Sequence, residues 1–345
     1  MIQNAIIIDH HKPTGKVEHI HFNPHLAGID GSSELCASCG AYMVARQMGE
    51  NSDLAGLAIA GAIGDKQPMT GSNKSILDEA IRNEVVSSKK GLRMGDDPVE
   101  EYLEYSFEPF LDITGDKEKI RSFTESAGIR GSLKGFSEVQ LVRFASLLAL
   151  KLAQQGNPLA INSLIGDVFF LNKEVVSNAY DLVNILNACG SVEKADLGLA
   201  VCMRDASIVE EAKSTAREHQ RIIVNNIRKA LGNIRSAQNF RYVHLDDSGS
   251  TGAIAGTMTR YLYPDKPFIT LNEVEDRIKV SARGTRKLVM TGLDLAAVMR
   301  ESAESVGGIG GGHDVASGAS IPKGTEPKFL EVADSMIGRQ LAGRK

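Results

Sequence analysis

The spacing of apolar residues predicts a strand followed by helices in the first part of the chain. Residues 2–8 (IQNAIII) form a short β-branched run that is typical of a buried strand in a parallel sheet. After a predicted loop, an amphipathic helix begins near Ser32 or Ser33, and an alanine-rich helix runs from Asp53 to Ile63. The first part of the chain is therefore predicted to form an α/β domain.

The middle of the chain predicts helices almost throughout. Residues 74–200 are mostly helical by pattern, with clear amphipathic segments at 139–154 and 174–188. A long, charged helix then extends from Asp205 to Leu231. Its length, and the change of pattern that follows it, predict a helical connector between two domains.

From residue 240 onward, the pattern changes to alternating strands and helices. A glycine-rich stretch at 307–322 is predicted to be a loop, and a final helix is predicted near 328–341. This order is typical of a compact α/β domain of ordinary size.

Composition narrows the classes of protein that remain. A length of 345 residues favours two domains. A net charge of −4 argues against a globally basic surface that wraps duplex DNA. This charge does not exclude a local basic groove. Four cysteines are too few for a disulfide framework in so long a chain. No leader peptide and no apolar run of spanning length is present, so we expect a cytoplasmic protein without membrane contact.

Asp9, His10 and His11 follow the predicted first strand directly. Functional groups in open α/β sheets collect at the carboxyl ends of strands. A carboxylate with two imidazoles suits Mn²⁺ or Mg²⁺ better than zinc alone. The alternative is a strand-end aspartate beside two surface histidines, and the triplet alone does not decide between them.

Asp65 comes directly after the alanine-rich helix, in the stretch GAIGDKQ. An isolated aspartate there is usually a solvated turn residue. Its interest comes from pairing with Asp9, His10 and His11, because two separated ligand-bearing elements can hold a pair of metal ions.

Gly310, Gly311, Gly312 and His313 lie within the glycine-rich stretch. Successive glycines let the backbone approach a phosphate closely, and His313 can add a charge-assisted hydrogen bond. The alternative is a flexible loop with a surface histidine. The density of glycine, followed by small residues that can pack tightly, favours the phosphate site.

Residues 277–283 alternate in character. Arg277, Lys279, Ser281 and Arg283 are predicted on one strand face, with apolar residues on the other. Such a basic stripe suits a nucleic-acid backbone, while an ordinary half-exposed strand is the alternative. Elsewhere, Cys36 and Cys39 have no second pair at zinc-site spacing, so we expect them in the core.

Asp9-His10-His11 after a strand, Gly64-Asp65 further on and GGGH at residues 310–313 occur in this order. The combination resembles the DHH phosphoesterase superfamily with its C-terminal DHH-associated domain. The chain looks most like archaeal RecJ-like exonucleases, including those that associate with the GINS replication complex, and residues 180–202 are also similar to that group.

The resemblance implies a role for each motif. Asp9, His10, His11 and Asp65 would be catalytic metal ligands, and two Mn²⁺ (or Mg²⁺) ions would activate water for attack on a terminal phosphodiester. The substrate, single-stranded DNA or RNA, would be bound by a second set of residues. These are Arg277, Lys279, Ser281, Arg283, Gly310, Gly311, Gly312 and His313.

Family members also carry a D-x-D motif and a further aspartate before the triplet, which here starts nine residues from Met1. We therefore expect a fragment, a split protein completed by a partner chain, or a catalytically inactive adaptor of a GINS-type replication complex. A phosphodiesterase for short oligonucleotides or cyclic dinucleotides is a further alternative.

The expected fold is α/β: an incomplete Rossmann-like, parallel-sheet DHH domain with a helical insertion, a connector helix and a smaller α/β domain. The truncated catalytic domain is predicted at 1–204 with its insertion at about 76–170, the connector at 205–235, and the nucleic-acid-binding DHH-associated domain at 236–345.

Overall fold

The computed structural model describes residues 5–13, 15, 17–155, 160–245 and 250–343, so positions 2–4 of the predicted first strand lie outside it. The strands are β1 (Ile6–Ile8), β2 (Ile20–Phe22), β3 (Val86–Leu92), β4 (Ile165–Leu171), β5 (Arg235–Ser236), β6 (Arg241–Leu245), β7 (Phe268–Val274), β8 (Arg277–Arg283), β9 (Ile309–Gly312) and β10 (Ala316–Pro322). The helices are α1 (Ala37–Met48), α2 (Ala55–Gly64), α3 (Gly71–Arg82), α4 (Val99–Tyr105), α5 (Lys117–Ala127), α6 (Glu138–Gln154), α7 (Ile161–Leu164), α8 (Ala179–Ser191), α9 (Ala195–Cys202), α10 (Val209–Leu231), α11 (Thr251–Thr257), α12 (Arg286–Met290), α13 (Leu295–Glu304) and α14 (Glu326–Ala342).

The chain forms two compact units, and each unit is built from two separate stretches of sequence. The first unit comprises Met1–Asp96 and Ile165–Glu218, and the second comprises Asp97–Leu164 and His219–Lys345. The division falls inside α10. The two units are defined by which residues pack together. The domain limits of 1–204, 205–235 and 236–345 stay a prediction.

The sheet that carries the first motif is small. β1 and β2 pair in parallel, with Ile6 opposite Ile20, and among the described residues this is the first unit's parallel pairing. The prediction of a buried strand is wrong, because Ile6 is 58% exposed and Ile20 is 70% exposed. β2 lies in the segment predicted as loop, and its three residues are too few to show a period.

A second pair of strands, β3 and β4, interrupts the region predicted as mostly helical. They are antiparallel, with Val86 opposite Leu171. The sequence of β3, VSSKKGL, has no apolar alternation, and its hydrogen bonds come from a strand more than seventy residues away. Local pattern cannot reveal such a strand.

Helices α1, α2, α3 and α8 surround the core of the first unit. Ile59, Ala179 and Cys39 are fully buried there, and Cys36 is also buried. The prediction that the two cysteines belong to the core is confirmed. Cys36 is the N-cap residue of α1, and its Sγ accepts a hydrogen bond from the Cys39 backbone N–H at 3.4 Å.

The second unit is built on a six-stranded mixed sheet in the order β5-β6-β7-β8-β10-β9. β6 and β7 are parallel, and the other neighbours are antiparallel. One face packs on α13 and α14 through buried residues such as Val298, Met299 and Phe329. The expected α/β class is confirmed.

Helices α4 to α7 belong to this second unit. Arg260 pairs with Glu108 at 3.1 Å, and the hydroxyls of Tyr261 and Ser163 lie 3.2 Å apart. Arg228 of α10 also donates to the Thr114 carbonyl at 3.3 Å. These contacts join the helical stretch to the C-terminal part of the chain.

The glycine-rich stretch is not a loop. β9 and β10 form a hairpin at the edge of the sheet, with Gly310 opposite Ala319. The prediction was wrong because composition cannot distinguish a glycine loop from a glycine-rich strand. Across the described ranges, no helix is both long and apolar enough to cross a bilayer.

Candidate functional site

Asp9, His10 and His11 come together at the tip of β1. The Asp9 N–H donates to the Phe22 carbonyl at 3.1 Å, so the backbone stays paired with β2 as far as the carboxylate. One ligand atom from each of the three residues lies within 4.8 Å of the others. We call these three residues the Asp-His-His cluster.

The Asp9 carboxylate is held by its two neighbours. Its Oδ1 accepts from the His10 N–H at 2.8 Å and the His11 N–H at 3.2 Å, and it lies 2.8 Å from His11 Nδ1. Burial raises the pKa of Asp9, but the hydrogen bonds from His11 and His10 outweigh it, and the pKa falls below its ordinary value. The group is therefore anionic at neutral pH.

The ring of His10 is oriented by a backbone carbonyl. Its Nδ1 lies 2.8 Å from the Gly31 oxygen, which can only accept a hydrogen bond, so Nδ1 carries the proton. In the neutral ring this leaves the Nε2 lone pair for a cation. The side chain is only 12% exposed.

Asp65 lies beside His10, at the C-terminal end of α2. Its Oδ2 is 3.5 Å from His10 Nδ1, and its side chain is 42% exposed. It is not part of the Asp-His-His cluster as defined by the 4.8 Å distance. The structure thus places Asp65 near the cluster, and its role as a direct ligand stays a prediction.

Sequence reasoning missed Gln67 and Asn73. Gln67 Nε2 donates to Asp65 Oδ2 at 2.8 Å and to the Gly31 carbonyl at 2.7 Å. Asn73 Nδ2 donates to Gln67 Oε1 at 2.8 Å. Both side chains are buried. The sequence signal was slight: Gln67 is two residues from Asp65, and Asn73 sits in the first turn of an ordinary-looking helix.

The donor atoms at this site fit a divalent cation. Imidazole nitrogen and carboxylate oxygen together suit Mn²⁺, and carboxylate oxygen alone suits Mg²⁺. His10 has the carbonyl partner that metal-bound histidines usually have. Asp9 and His10 would therefore hold such an ion, with His11 and Asp65 beside them.

The predicted basic stripe on β8 is only partly exposed. Lys279 is exposed, whereas Ser281 is buried. Arg277 is half-buried and donates to Ser320 Oγ at 2.6 Å and to the Ser320 carbonyl at 2.8 Å. The alternation in the strand is as predicted, but the four side chains do not form one continuous basic surface.

Arg283 is a half-buried cation. Its Nη1 donates to the Ala282 carbonyl at 2.9 Å and the Ser317 carbonyl at 3.4 Å, and within the described ranges no carboxylate pairs with it. Burial lowers the pKa of Arg283, and the nearby charge of Arg260 adds to this effect. A cation whose described partners are carbonyl oxygens is suited to bind an anion.

A row of small residues crosses the sheet next to Arg283. Gly311 faces Gly318, Gly318 faces Ser281, and Ser281 faces Thr270 in the strand register. Apart from residues 310–312, no described residue has an atom within 4 Å of the position that a Cβ would take at Gly311. Ser281 and Thr270 are buried beneath α11, where Ser281 Oγ lies 2.9 Å from Thr251 Oγ1. We call Gly311, Gly318 and Arg283 the bare sheet face.

The other predicted glycines and His313 have different surroundings. A Cβ at Gly312 would lie 2.8 Å from the Ala316 carbonyl, so this glycine serves the hairpin turn. His313 is exposed in that turn, where its N–H donates to the Ala316 carbonyl at 2.9 Å and its own carbonyl accepts from Ser317 Oγ at 2.6 Å.

Comparisons with known proteins show which families and folds this chain resembles. Residues 238–339 match the family described as the DHHA1 domain. The structure resembles CDC45 from Entamoeba histolytica, with a TM-score of 0.62, 14% identity, and coverage of 96% of this chain and 79% of that one. It also resembles RecJ from Thermus thermophilus in complex with Mn²⁺, with a TM-score of 0.56, 15% identity, and coverage of 97% of this chain and 41% of that one.

The protein therefore has a match to the DHHA1 domain at residues 238–339, and its fold resembles those of RecJ and CDC45. In sequence it is 33% identical over 347 residues to the uncharacterized protein MJ0831 of Methanocaldococcus jannaschii, and the match covers 98% of this chain and 77% of that protein. The chain belongs to the same family as that archaeal protein.

Proposed function

We propose that this protein is a metal-dependent phosphodiesterase that acts on single-stranded nucleic acid, in the manner of a RecJ-like exonuclease. The observation that carries the proposal is the Asp-His-His cluster, whose ligand atoms lie within 4.8 Å of one another in a DHH/DHHA1-type fold. Asp65, at the C-terminal end of α2, supports it, because its Oδ2 lies 3.5 Å from His10 Nδ1.

The roles of the residues follow from their contacts. His10 would offer Nε2 to the cation, because Nδ1 donates to Gly31. Asp9, which is already anionic, would offer a carboxylate oxygen, and Asp65 would add a second negative charge nearby. When bound, Mn²⁺ would polarise a phosphoryl oxygen and lower the pKa of a water molecule.

The bare sheet face would bind the nucleic-acid backbone. Arg283 would contact a phosphate oxygen, and Gly311 and Gly318 would let the backbone approach the sheet without side-chain interference. Lys279 is exposed in the same strand and would add long-range attraction. His313, exposed beside Gly312, would contribute a further hydrogen bond.

The activity can be tested with end-labelled single-stranded DNA and RNA oligonucleotides, by following mononucleotide release with and without MnCl₂. His10→Ala and Asp65→Ala should each reduce release by at least about 100-fold, since even residues that only support metal ligands cost 10–100-fold. His244→Ala, at an exposed histidine of β6, is the matched control and should be active. Release that needs no metal, or full activity of His10→Ala, would refute the proposal.

A second candidate function is a non-catalytic adaptor in a replication complex. The observation that favours it is the single carboxylate in the Asp-His-His cluster, since a pair of metal ions normally requires several. An adaptor would bind GINS-type proteins or nucleic acid without cleaving it. Tight binding of single strands with no product in Mn²⁺ or Mg²⁺ would favour the adaptor over the nuclease.

A further inference from the structure

A chain of buried amides runs from the start of α1 to the candidate metal ligands. The Cys36 N–H donates to Asn73 Oδ1 at 3.1 Å, and Asn73 Nδ2 donates to Gln67 Oε1 at 2.8 Å. Gln67 Nε2 then donates to Asp65 Oδ2 at 2.8 Å and to the Gly31 carbonyl at 2.7 Å. Asn73 is fully buried and Gln67 is 7% exposed.

The direction of every hydrogen bond in this series of buried amides is fixed at both of its ends. A backbone N–H can only donate, so Asn73 must turn its oxygen toward Cys36 and its nitrogen toward Gln67. Gln67 must then present its nitrogen to the ionised carboxylate of Asp65 and to the carbonyl oxygen of Gly31, because both of these groups can only accept. No amide in the chain can rotate by 180° without placing two acceptors together.

The same polarity reaches His10. Gln67 Nε2 is also 3.1 Å from His10 Nδ1, but its two hydrogens are engaged by the closer Gly31 and Asp65 oxygens. His10 Nδ1 therefore donates to Gly31 and does not accept from Gln67. The opposite arrangement would put the proton on Nε2 and remove the nitrogen that a cation needs.

We propose that Gln67 and Asn73 are positioning residues, which act through Asp65 and His10 to hold the candidate metal ligands in their binding form. The proposal rests on the proposed function only for the presence of a metal ion. In this proposal, neither amide would touch the substrate or the ion. The partners of a metal ligand orient it and tune it, and their loss typically weakens binding about 10–100-fold.

The main test is the variant Asn73→Asp, which keeps the shape and the acceptor for Cys36 but, as a carboxylate, cannot donate to Gln67. Gln67 must then turn its oxygen toward Asp65, and the two acceptors repel. Mn²⁺ affinity, measured from the EPR signal of free Mn²⁺ during titration, should fall about 10-fold or more. Unchanged affinity in the folded variant would overturn the proposal.

The matched control is Asn178→Asp. Asn178 is also buried in the first unit, where its Oδ1 accepts from the Tyr180 N–H and its Nδ2 donates to the Met94 carbonyl. It should lose thermal stability as Asn73→Asp does, with Mn²⁺ affinity unchanged. If both variants weaken Mn²⁺ binding equally, Asn73 is merely structural. Gln67→Met provides a second variant if Asn73→Asp does not fold.

A double-mutant cycle separates positioning from general destabilisation. In an Asp65→Asn background, the new amide can donate to a rotated Gln67, so adding Asn73→Asp should cost little further Mn²⁺ affinity. Additive losses would contradict a role that passes through Asp65.

A measurement on the metal-free protein tests the chain of amides independently of the proposed function. Ring ¹⁵N chemical shifts should assign the proton of neutral His10 to Nδ1. The Nε2–H tautomer would overturn the proposal, whether or not the protein is a nuclease. Conversely, Nδ1–H with no Mn²⁺ binding would leave the hydrogen-bond chain intact and remove the proposed function.

Discussion

A Cβ atom at Gly31 would lie 2.0 Å from the carbonyl oxygen of His10. The turn that orients the His10 ring thus packs directly against the His10 backbone, and only a residue without a side chain fits there. The position of the candidate ligand depends on this contact as much as on the strand that precedes it.

Gly31→Ala should therefore move His10 and destabilise the fold. We expect a loss of about 1–3 kcal/mol in the free energy of unfolding, which is typical of overpacking, together with weaker Mn²⁺ binding. Urea denaturation and the Mn²⁺ titration measure the two effects. Gly190→Ala is the control: a Cβ there meets no atom within 4 Å in helix α8, so stability should stay equal or rise.

Gly310→Ala should destabilise the second unit. Its Cβ would lie 2.2 Å from the Met299 carbonyl, because β9 packs closely on α13. We expect a loss of about 1–3 kcal/mol, measured by thermal or urea unfolding. Gly256→Ala in α11, where a Cβ has no neighbour within 4 Å, should not destabilise the protein. Equal stabilities of the two variants would contradict the close packing of β9.

Arg283→Met should weaken nucleic-acid binding without loss of stability. The guanidinium is half-buried, and its described partners are carbonyl oxygens, so removing its charge relieves a desolvation cost. Affinity for single strands should fall, and the slope of log K against log salt should decrease by about 1. Fluorescence anisotropy over a salt series measures both.

Arg277→Met is the matched comparison for Arg283→Met. Its guanidinium bonds to Ser320, so its loss should cost stability and leave the salt slope nearly unchanged. If Arg283→Met retained full affinity at every salt concentration, the bare sheet face would not be a phosphate site.

The two core cysteines should make stability depend on pH. A hydrogen bond from the Cys39 thiol lowers the pKa of Cys36 to about 6, against the opposing effect of burial, and the same bond raises the pKa of Cys39 far above its ordinary value of 9.0. The folded pair therefore holds one proton between pH 6 and 9, whereas the unfolded pair holds two.

It follows that stability due to this pair should rise from pH 6 to about pH 9. Above pH 9 the unfolded pair has lost both protons while the folded Cys39 keeps its own, so this stability should decline again. Urea unfolding at several pH values, compared with Cys36→Ser, isolates the effect. A difference between the two proteins that is flat across this range would contradict the shared proton.

The sequence predicted the candidate site best where the functional residues are neighbours in the chain. Asp9, His10 and His11 are adjacent in the chain, so one strand end brings them together without help from distant contacts. Asp65 was recognisable as the residue after a helix. Gln67 and Asn73 gave no such signal, because their roles depend on contacts with residues 31 and 36 across long stretches of chain.

The fold was predictable to a similar extent. Helices α1 and α6 follow from apolar periodicity, α2 from its alanine-rich composition, and α10 from its long, charged, uninterrupted run. β2 and β3 do not, because a three-residue strand has no visible period and β3 is defined by its partner β4. The glycines of β9 were predicted to let a phosphate approach closely, and this stays a prediction. At Gly310, however, the approaching group is the backbone of α13.

The interleaving of the two units sets the order in which a ribosome can complete them. Residues 1–96 cannot finish folding until 165–218 have been synthesised, and the helices of 97–164 must then wait for 219 onward. During translation, each unit thus spends time with its core half assembled and apolar surface exposed. Slow elongation or a chaperone that shields the 97–164 helices should therefore influence the yield of native protein.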